Sequence, residues 1–317
     1  MRMRPFYPLL ALTLLALLAI VVFMTINAHG RWSFILPFRG VKLATLVLVG
    51  YAVAVSTVLF QTISHNRILT PAIMGFDSLY ILIQTVIVFF FGAAGASSIG
   101  PAIMFVVEVA ALTFFACVLY RWLLSYESGG LHLLLLTGII FGLFFRSLSG
   151  LLQRMIDPAD FVVLQDRFFA SFNVTDTSLL GISALAIAAV SFVGWRMFRY
   201  YDVLALGRET AVSLGVDYTR CVTIILILVT VLVAVSTALV GPITFLGLIV
   251  ANMAYHISSS YRHSVILPVA VLLTVISLVG GQVLLERVFA FNTALSIIIE
   301  FIGGLFFIIL LIRGAAR

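Results

Sequence analysis

Lysine occurs once in this chain of 317 residues, as Lys42, and the other seventeen basic residues are arginine. Leu43 follows that lysine, so no G-x-x-x-x-G-K-S/T loop exists to cradle nucleotide phosphates. Any ATP-driven step would need a separate chain to hydrolyse the nucleotide. Charge of either sign is scarce: 9% of residues are Asp, Glu, Lys or Arg, against about 25% in a soluble domain. Such a chain cannot clothe itself in a water-facing surface. Cysteine is limited to Cys117 and Cys221, both in apolar surroundings and both toward the cytoplasmic side of the topology predicted below, which argues against a disulfide. The five histidines (His29, His65, His132, His256 and His263) are scattered, without a C-x-x-C, H-E-x-x-H or Ser/His/Asp arrangement. Neither a metal centre nor a hydrolytic site has a visible constellation. The net charge of +6 sits singly at the ends of apolar runs, not in a patch, so nucleic acid is not an expected partner.

What the chain does have is hydrophobic length. Hydrophobic residues make up 63%, with a mean hydropathy of +1.25. The apolar runs are continuous over about 20 residues, the span of a membrane helix, not the alternating ten of a barrel strand. The expected fold is an all-α polytopic membrane protein, one domain over 1–317, surrounded by membrane lipid. About ten transmembrane helices are predicted, at 8–27, 41–63, 73–92, 101–123, 131–153, 178–200, 220–240, 243–258, 264–285 and 294–313. The eighth is short, follows Gly241-Pro242, and suits a re-entrant segment buried in protein. Residues 159–172 read as a short amphipathic helix at the interface. The first run, Leu9 to Met24, is too long for a signal-peptide core and no A-x-A site follows it. It is expected to remain as the first helix.

Arginine placement predicts the orientation. With both termini cytoplasmic, eleven basic residues face inward: Arg2, Arg4, Arg67, Arg121, Arg196, Arg199, Arg208, Arg220, Arg262, Arg313 and Arg317. Six face outward: Arg31, Arg39, Lys42, Arg154, Arg167 and Arg287. That asymmetry follows the positive-inside rule.

Two polar breaks interrupt the apolar pattern. In Tyr201 to Asp217, Leu204, Ala205, Ala211, Val212 and Leu214 form an apolar stripe beside the charged Arg208, Glu209 and Asp217. Gly207 and Gly215 bracket one or two helical turns, with Gly215 placed as a C-cap. Such a helix, between spans six and seven, either docks a soluble partner or rests on headgroups. In the other break, Gln61 to Tyr80, Pro71 forces Thr70 out of helical geometry. Gly75 then precedes a restart that Asp77 or Ser78 could cap. Gln61 is a polar side chain inside an apolar helix and needs a partner.

Four stretches resemble a known family. RGVKLATLVLVGYAVAVSTVLFQTISHNRILTPAIMGFDSLY, from Arg39, resembles the second and third spans of bacterial iron–siderophore and vitamin B12 import permeases of the ATP-binding-cassette class. ALGRETAVSLGVD resembles their cytoplasmic coupling helix, GPITFLGLIVANMAYHI their G-P-I-x-F-x-G-L stretch, and GGLFFIILLIR their C-terminal ending. The wording around NRILTP is similar to the branch importing catecholate-type ferric siderophores. Ala251-Asn252, Gly304 and Asn66-Arg67 depart from Pro-His, Pro and Asn-Pro at matching positions.

The resemblance implies a non-enzymatic permease in the bacterial inner membrane. Its expected partners are a second permease chain, of the paralogous kind, two cytoplasmic ATPase subunits and a periplasmic siderophore-binding protein. It implies no cofactor on this chain, with ATP and Mg on the ATPase. Coupling would fall to Leu206, Gly207, Arg208, Glu209, Ala211, Leu214 and Gly215. Docking of the binding protein would fall to Arg39, Lys42 and Arg287, whose bland reading is interfacial snorkelling.

In the fifth span, Gly138 and Gly142 form a G-x-x-x-G that permits close helix approach, and the resemblance places Phe145, Arg146 and Ser149 with them along the translocation pathway. Arg146 lies at membrane depth, as do Glu108 and Glu300, where charge is costly and functional by default. Either Arg146 attracts an anionic chelate, or it pairs with Glu108 or Glu300 to hold helices together. A secondary transporter driven by an ion gradient remains the alternative class, although neither a clear repeat nor an acidic midplane pair is visible.

Overall fold

The computed structural model describes residues 6–26, 32–124, 131–173, 176–258, 260–291 and 293–315. Arg2, Arg4, His29, Arg31 and Arg317, used above for orientation and metal chemistry, lie outside them. Among the described residues there are only helices and the turns between them.

In chain order the helices are α1 (Phe6–Thr25), α2 (Trp32–Ser64), α3 (Phe76–Ser98), α4 (Pro101–Leu124) and α5 (Leu131–Gln153). There follow α6 (Pro158–Asp166), α7 (Thr177–Arg196), α8 (Phe198–Leu204), α9 (Arg208–Ser213) and α10 (Tyr218–Val240). The last three are α11 (Leu246–Ile257), α12 (His263–Arg287) and α13 (Leu295–Ala315). Eight of them (α1, α2, α3, α4, α5, α7, α10 and α12) are long and apolar enough to cross a membrane. At 12 residues, α11 is about 18 Å long, short of a hydrocarbon core of about 30 Å. An apolar helix thus stands at each of the ten predicted positions.

Burial runs opposite to that of a soluble protein. The centre is α2 and α10, where Leu46, Val49, Val58, Ile225, Leu226 and Val229 are fully enclosed, and both pack together while α12 covers α2. Outward faces carry rows of large apolar side chains, such as Leu14 and Leu18 on α1 and Leu185 and Trp195 on α7. Only lipid tails or another protein can solvate such a surface.

Several boundaries differ from the sequence reading. The sixth predicted span divides at Met197 into α7 and α8, because the Tyr201 hydroxyl donates to the Gly194 carbonyl (2.8 Å) and terminates α7. The amphipathic helix expected over 159–172 is only α6, N-capped by Asp157, whose carboxylate accepts from the Ala159 amide (2.8 Å). Beyond it the chain is drawn into the body, where the Ser171 amide donates to the Val240 carbonyl (2.7 Å).

The turn after α2 holds the partner that Gln61 required. Its Nε2 donates to the Arg67 carbonyl (2.7 Å), which also accepts from Asn252 Nδ2 (3.0 Å). Asn252, a departure from the family wording, therefore clamps α11 to this turn. The Arg67 guanidinium lies 4.5 Å from the centroid of the Tyr255 ring. Pro71–Met74 form a single 3₁₀ turn after an extended Thr70. Neither Asp77 nor Ser78 caps α3, contrary to expectation: Gly75 holds the N-cap in the left-handed region, and Asp77 instead accepts from the Thr244 hydroxyl (2.8 Å).

Candidate functional site

The segment α8–α9 stands at one end of the bundle and is shaped by two glycines. Gly207, at φ +100°, turns the corner between the helices, and Gly215, at φ +80°, ends α9. The Gly215 amide reaches the Val212 carbonyl (2.9 Å) and the Val216 amide reaches that of Ala211 (3.0 Å). This is the Schellman pattern, so the C-cap expected from sequence is present. Asp217 then caps α10 by accepting from the Arg220 amide (3.0 Å).

The predicted apolar stripe splits, because a glycine corner separates two short helices where one continuous periodicity was assumed. Leu204 and Ala211 are buried against the body, while Ala205, Val212 and Leu214 face outward. Leu206 and Leu214 are each 61% exposed, and Arg208 and Glu209 are exposed beside them. Of the seven residues expected to couple, Ala211 supports the fold from behind, and Leu206, Arg208, Glu209, Leu214 and Gly215 form an outward surface. Apolar tips rimmed by both signs of charge have the anatomy of a protein interface.

At the opposite end, the three predicted docking cations have unequal fates. Lys42 is 6% exposed. Its ammonium donates to Glu286 Oε1 at 2.9 Å and lies 5.5 Å from the ring centroid of Phe38 and 5.6 Å from that of Phe291. A lysine so enclosed presents little charge at a rim, which sets a structural role beside the docking role expected of Lys42. Arg39 is also turned inward: its Nη1 donates to the carbonyls of Phe23 (2.9 Å), Met24 (3.0 Å) and Ile26 (2.8 Å). It satisfies the C-terminal carbonyls that every helix leaves unpaired, so its structural role explains it. Arg287 is exposed and touches only the edge of the same feature, donating from Nη2 to the Ile26 carbonyl (3.2 Å).

The α5 helix likewise divides. Gly138 and Gly142 lie against the start of α3 within this chain: a Cβ on Gly142 would come within 3.1 Å of the Gly75 Cα, and one on Gly138 within 3.0 Å of the Met74 Cα. Phe145 is buried in an edge-on contact with Phe115, 5.1 Å between centroids. The buried Ser149 hydroxyl donates to the Phe145 carbonyl (2.8 Å). These four share one face, at spacings of four, three and four residues, and that face is internal packing. Arg146 lies on the other side, exposed together with Leu143, Phe144 and Ser147. Of the five residues expected along the pathway, Arg146 alone is exposed in this chain.

Neither carboxylate proposed as an ion-pair partner of Arg146 fills that role. Glu108 is enclosed and accepts a short hydrogen bond from Gln84 Nε2, while Gln84 Oε1 accepts from Arg167 (3.0 Å). Gln84 thus bridges Glu108 to Arg167, because α4 turns Glu108 toward α3 and away from the outward side of α5. Glu300, on α13, makes no ion pair among the described residues. Arg146 itself makes no ion pair among the described residues. Gln84 and Gln282 carried the same signal as Gln61, a lone amide in an apolar run, and would have pointed to the Glu108 and Glu286 clusters.

Comparison with known proteins places this arrangement. The pattern of the FecCD transport family matches residues 7–313. The petrobactin import system permease protein YclO of Bacillus subtilis (strain 168) is 47% identical over 299 residues, 94% of this chain and 95% of that protein. The petrobactin import system permease protein FatC of Bacillus anthracis is 36% identical over 310 residues, 97% of this chain and 88% of that one. A metal-chelate type ABC transporter solved in an inward-facing conformation superposes with a TM-score of 0.84 at 22% identity, covering 98% of this chain and 100% of its own, a likeness of fold. A family pattern running almost end to end, on an all-helical apolar bundle with an outward-facing α8–α9 segment, makes this chain a member of the FecCD transport family.

Proposed function

We propose that this chain is one permease subunit of an ATP-driven importer that carries a ferric siderophore of the catecholate type, petrobactin-like, across the bacterial inner membrane. The relatives named for petrobactin import support the cargo. The exposed surface of Leu206, Arg208, Glu209 and Leu214 supports the drive. Both termini lie in the cytoplasm, so α8–α9 meets an ATPase subunit there. ATP and Mg belong to that subunit, and this chain binds no cofactor of its own. A second, paralogous permease completes the channel, with the face of Arg146 turned toward it or toward the anionic chelate. Closure of the ATPase pair becomes rigid-body rearrangement of the permeases.

The test is a crosslink. In a chain with Cys117 and Cys221 replaced by alanine, Val212→Cys on α9 should capture the co-expressed ATPase subunit with a short bifunctional reagent. Uptake of ferric petrobactin by proteoliposomes should require that subunit and ATP. Uptake without it, driven by an ion gradient, would sink the proposal.

A periplasmic binding protein delivers the cargo to the opposite end, where Arg287 is the exposed cation of the three. Arg287→Glu should slow association of the binding protein by about tenfold at low salt, with the difference closing near 1 M, where the screening length is about 3 Å. Biosensor association rates on nanodisc-held transporter measure it; an equal rate at low salt would remove Arg287 from the docking surface.

A further inference from the structure

Behind α8 lies a polar connection that neither the cargo path nor the ATPase surface uses. The Asp202 carboxylate, on α8, accepts through Oδ1 from the His263 backbone amide (2.9 Å) and contacts the His263 ring at Nδ1 (2.7 Å). The other ring nitrogen, Nε2, lies 2.7 Å from the Thr62 hydroxyl of α2. His263 is 2% exposed, is the first residue of α12, and packs its ring 5.7 Å from that of Tyr201.

Hydrogen counting gives the connection a direction. A carboxylate only accepts, so Nδ1 carries the ring proton, and in the neutral imidazole Nε2 must accept. The single Thr62 hydrogen is shared between that nitrogen and the Val58 carbonyl, which stands 2.8 Å away. Every polar atom of the imidazole is engaged, one side by α8 and the other by α2. The Lys42–Glu286 pair joins α2 to α12 at the other end; apolar contacts along these helices slide at little cost, whereas directional hydrogen bonds in a buried site do not.

We propose that Asp202, His263 and Thr62 form the joint through which movement of α8–α9 reaches the transmembrane helices. Asp202 follows the segment, His263 heads α12, and Thr62 lies near the end of α2, so a displacement of α9 is delivered to both helices at one point. The inference rests on the coupling reading above and goes beyond it by naming how the motion enters the bundle. The three are positioning residues and touch neither cargo nor nucleotide.

The experiment uses the whole transporter, with its ATPase and binding protein, in proteoliposomes. It measures ferric petrobactin moved per ATP hydrolysed, alongside the Val212→Cys crosslink in the cysteine-replaced background. Asp202→Ala and Thr62→Val should keep the crosslink and hold ATP hydrolysis within about twofold, while transport per ATP falls about tenfold. Asp202→Asn, which keeps an accepting oxygen, should fall between. His263→Phe keeps the ring packed on Tyr201 and should match Asp202→Ala; if it fails to fold, the other variants carry the test. A loss of transport in strict proportion to hydrolysis, or no loss in either, would overturn the joint while the crosslink keeps the coupling reading intact. Absence of the crosslink in the otherwise unsubstituted background would fell the coupling reading and the joint with it.

Discussion

A chain carrying Leu206→Asp and Leu214→Asp should assemble in the membrane and lose nearly all ATP-driven uptake. Both side chains stand 61% exposed at the tip of α8–α9, and neither contributes to the enclosed core. The substitutions therefore leave folding close to unchanged. At an ATPase interface the outcome reverses. Burying a leucine contributes about 1.5–3 kcal/mol, so removing two forfeits roughly 3–6 kcal/mol, or about 100- to 10,000-fold in association. Desolvating two new carboxylates adds to that loss. Co-purification of the ATPase subunit with the doubly substituted permease measures it. Undiminished recovery of the complex, with uptake intact, would show that α8–α9 merely rests on the membrane surface.

The second large effect is on stability. Lys42→Met should destabilise the fold by about 3–5 kcal/mol, the usual cost of stranding one partner of a buried ion pair. It leaves Glu286 with one donor, Gln282 Nε2 at 2.9 Å. Adding Glu286→Met should restore most of the loss, since a well-packed apolar pair often replaces a buried ion pair at no net cost. Thermal unfolding in lipid nanodiscs, compared at one scan rate, reads both steps. The double variant also decides between the two roles considered for Lys42. As an enclosed structural cation, it should be dispensable for docking once its charge partner is gone; as a rim cation, it should not. Stable protein with lost uptake would return Lys42 to the docking surface.

How far these sites were legible depends on the reach of the interaction that makes them. The Gly207 and Gly215 bracket around α9 was readable because a Schellman cap is local, built from residues within one turn. The apolar stripe beside it was misread because a corner at Gly207 breaks the helical period, and periodicity alone does not report a corner. On α5 the small residues correctly signalled a close approach, but not of what: the contact is with Met74 and Gly75 of the same chain. That contact turns Arg146 outward and places Phe145 and Ser149 inside. Glu108 was recognised as a charge in need of a partner, with Arg146 only one candidate, and the sequence did not show Gln84 and Arg167, because they come from distant segments.

Sequence by itself determined the class of this protein. Continuous apolar runs with few charges leave a helical membrane bundle as the form that satisfies every backbone hydrogen bond in lipid, and four ordered motifs identified its family. Tertiary structure alone decided which charges are available. Lys42 and Glu286 are 244 positions apart, as His263 and Thr62 are 201. Pairings of that separation are set by how whole helices pack, and packing averages over dozens of apolar contacts that no single residue in the sequence announces.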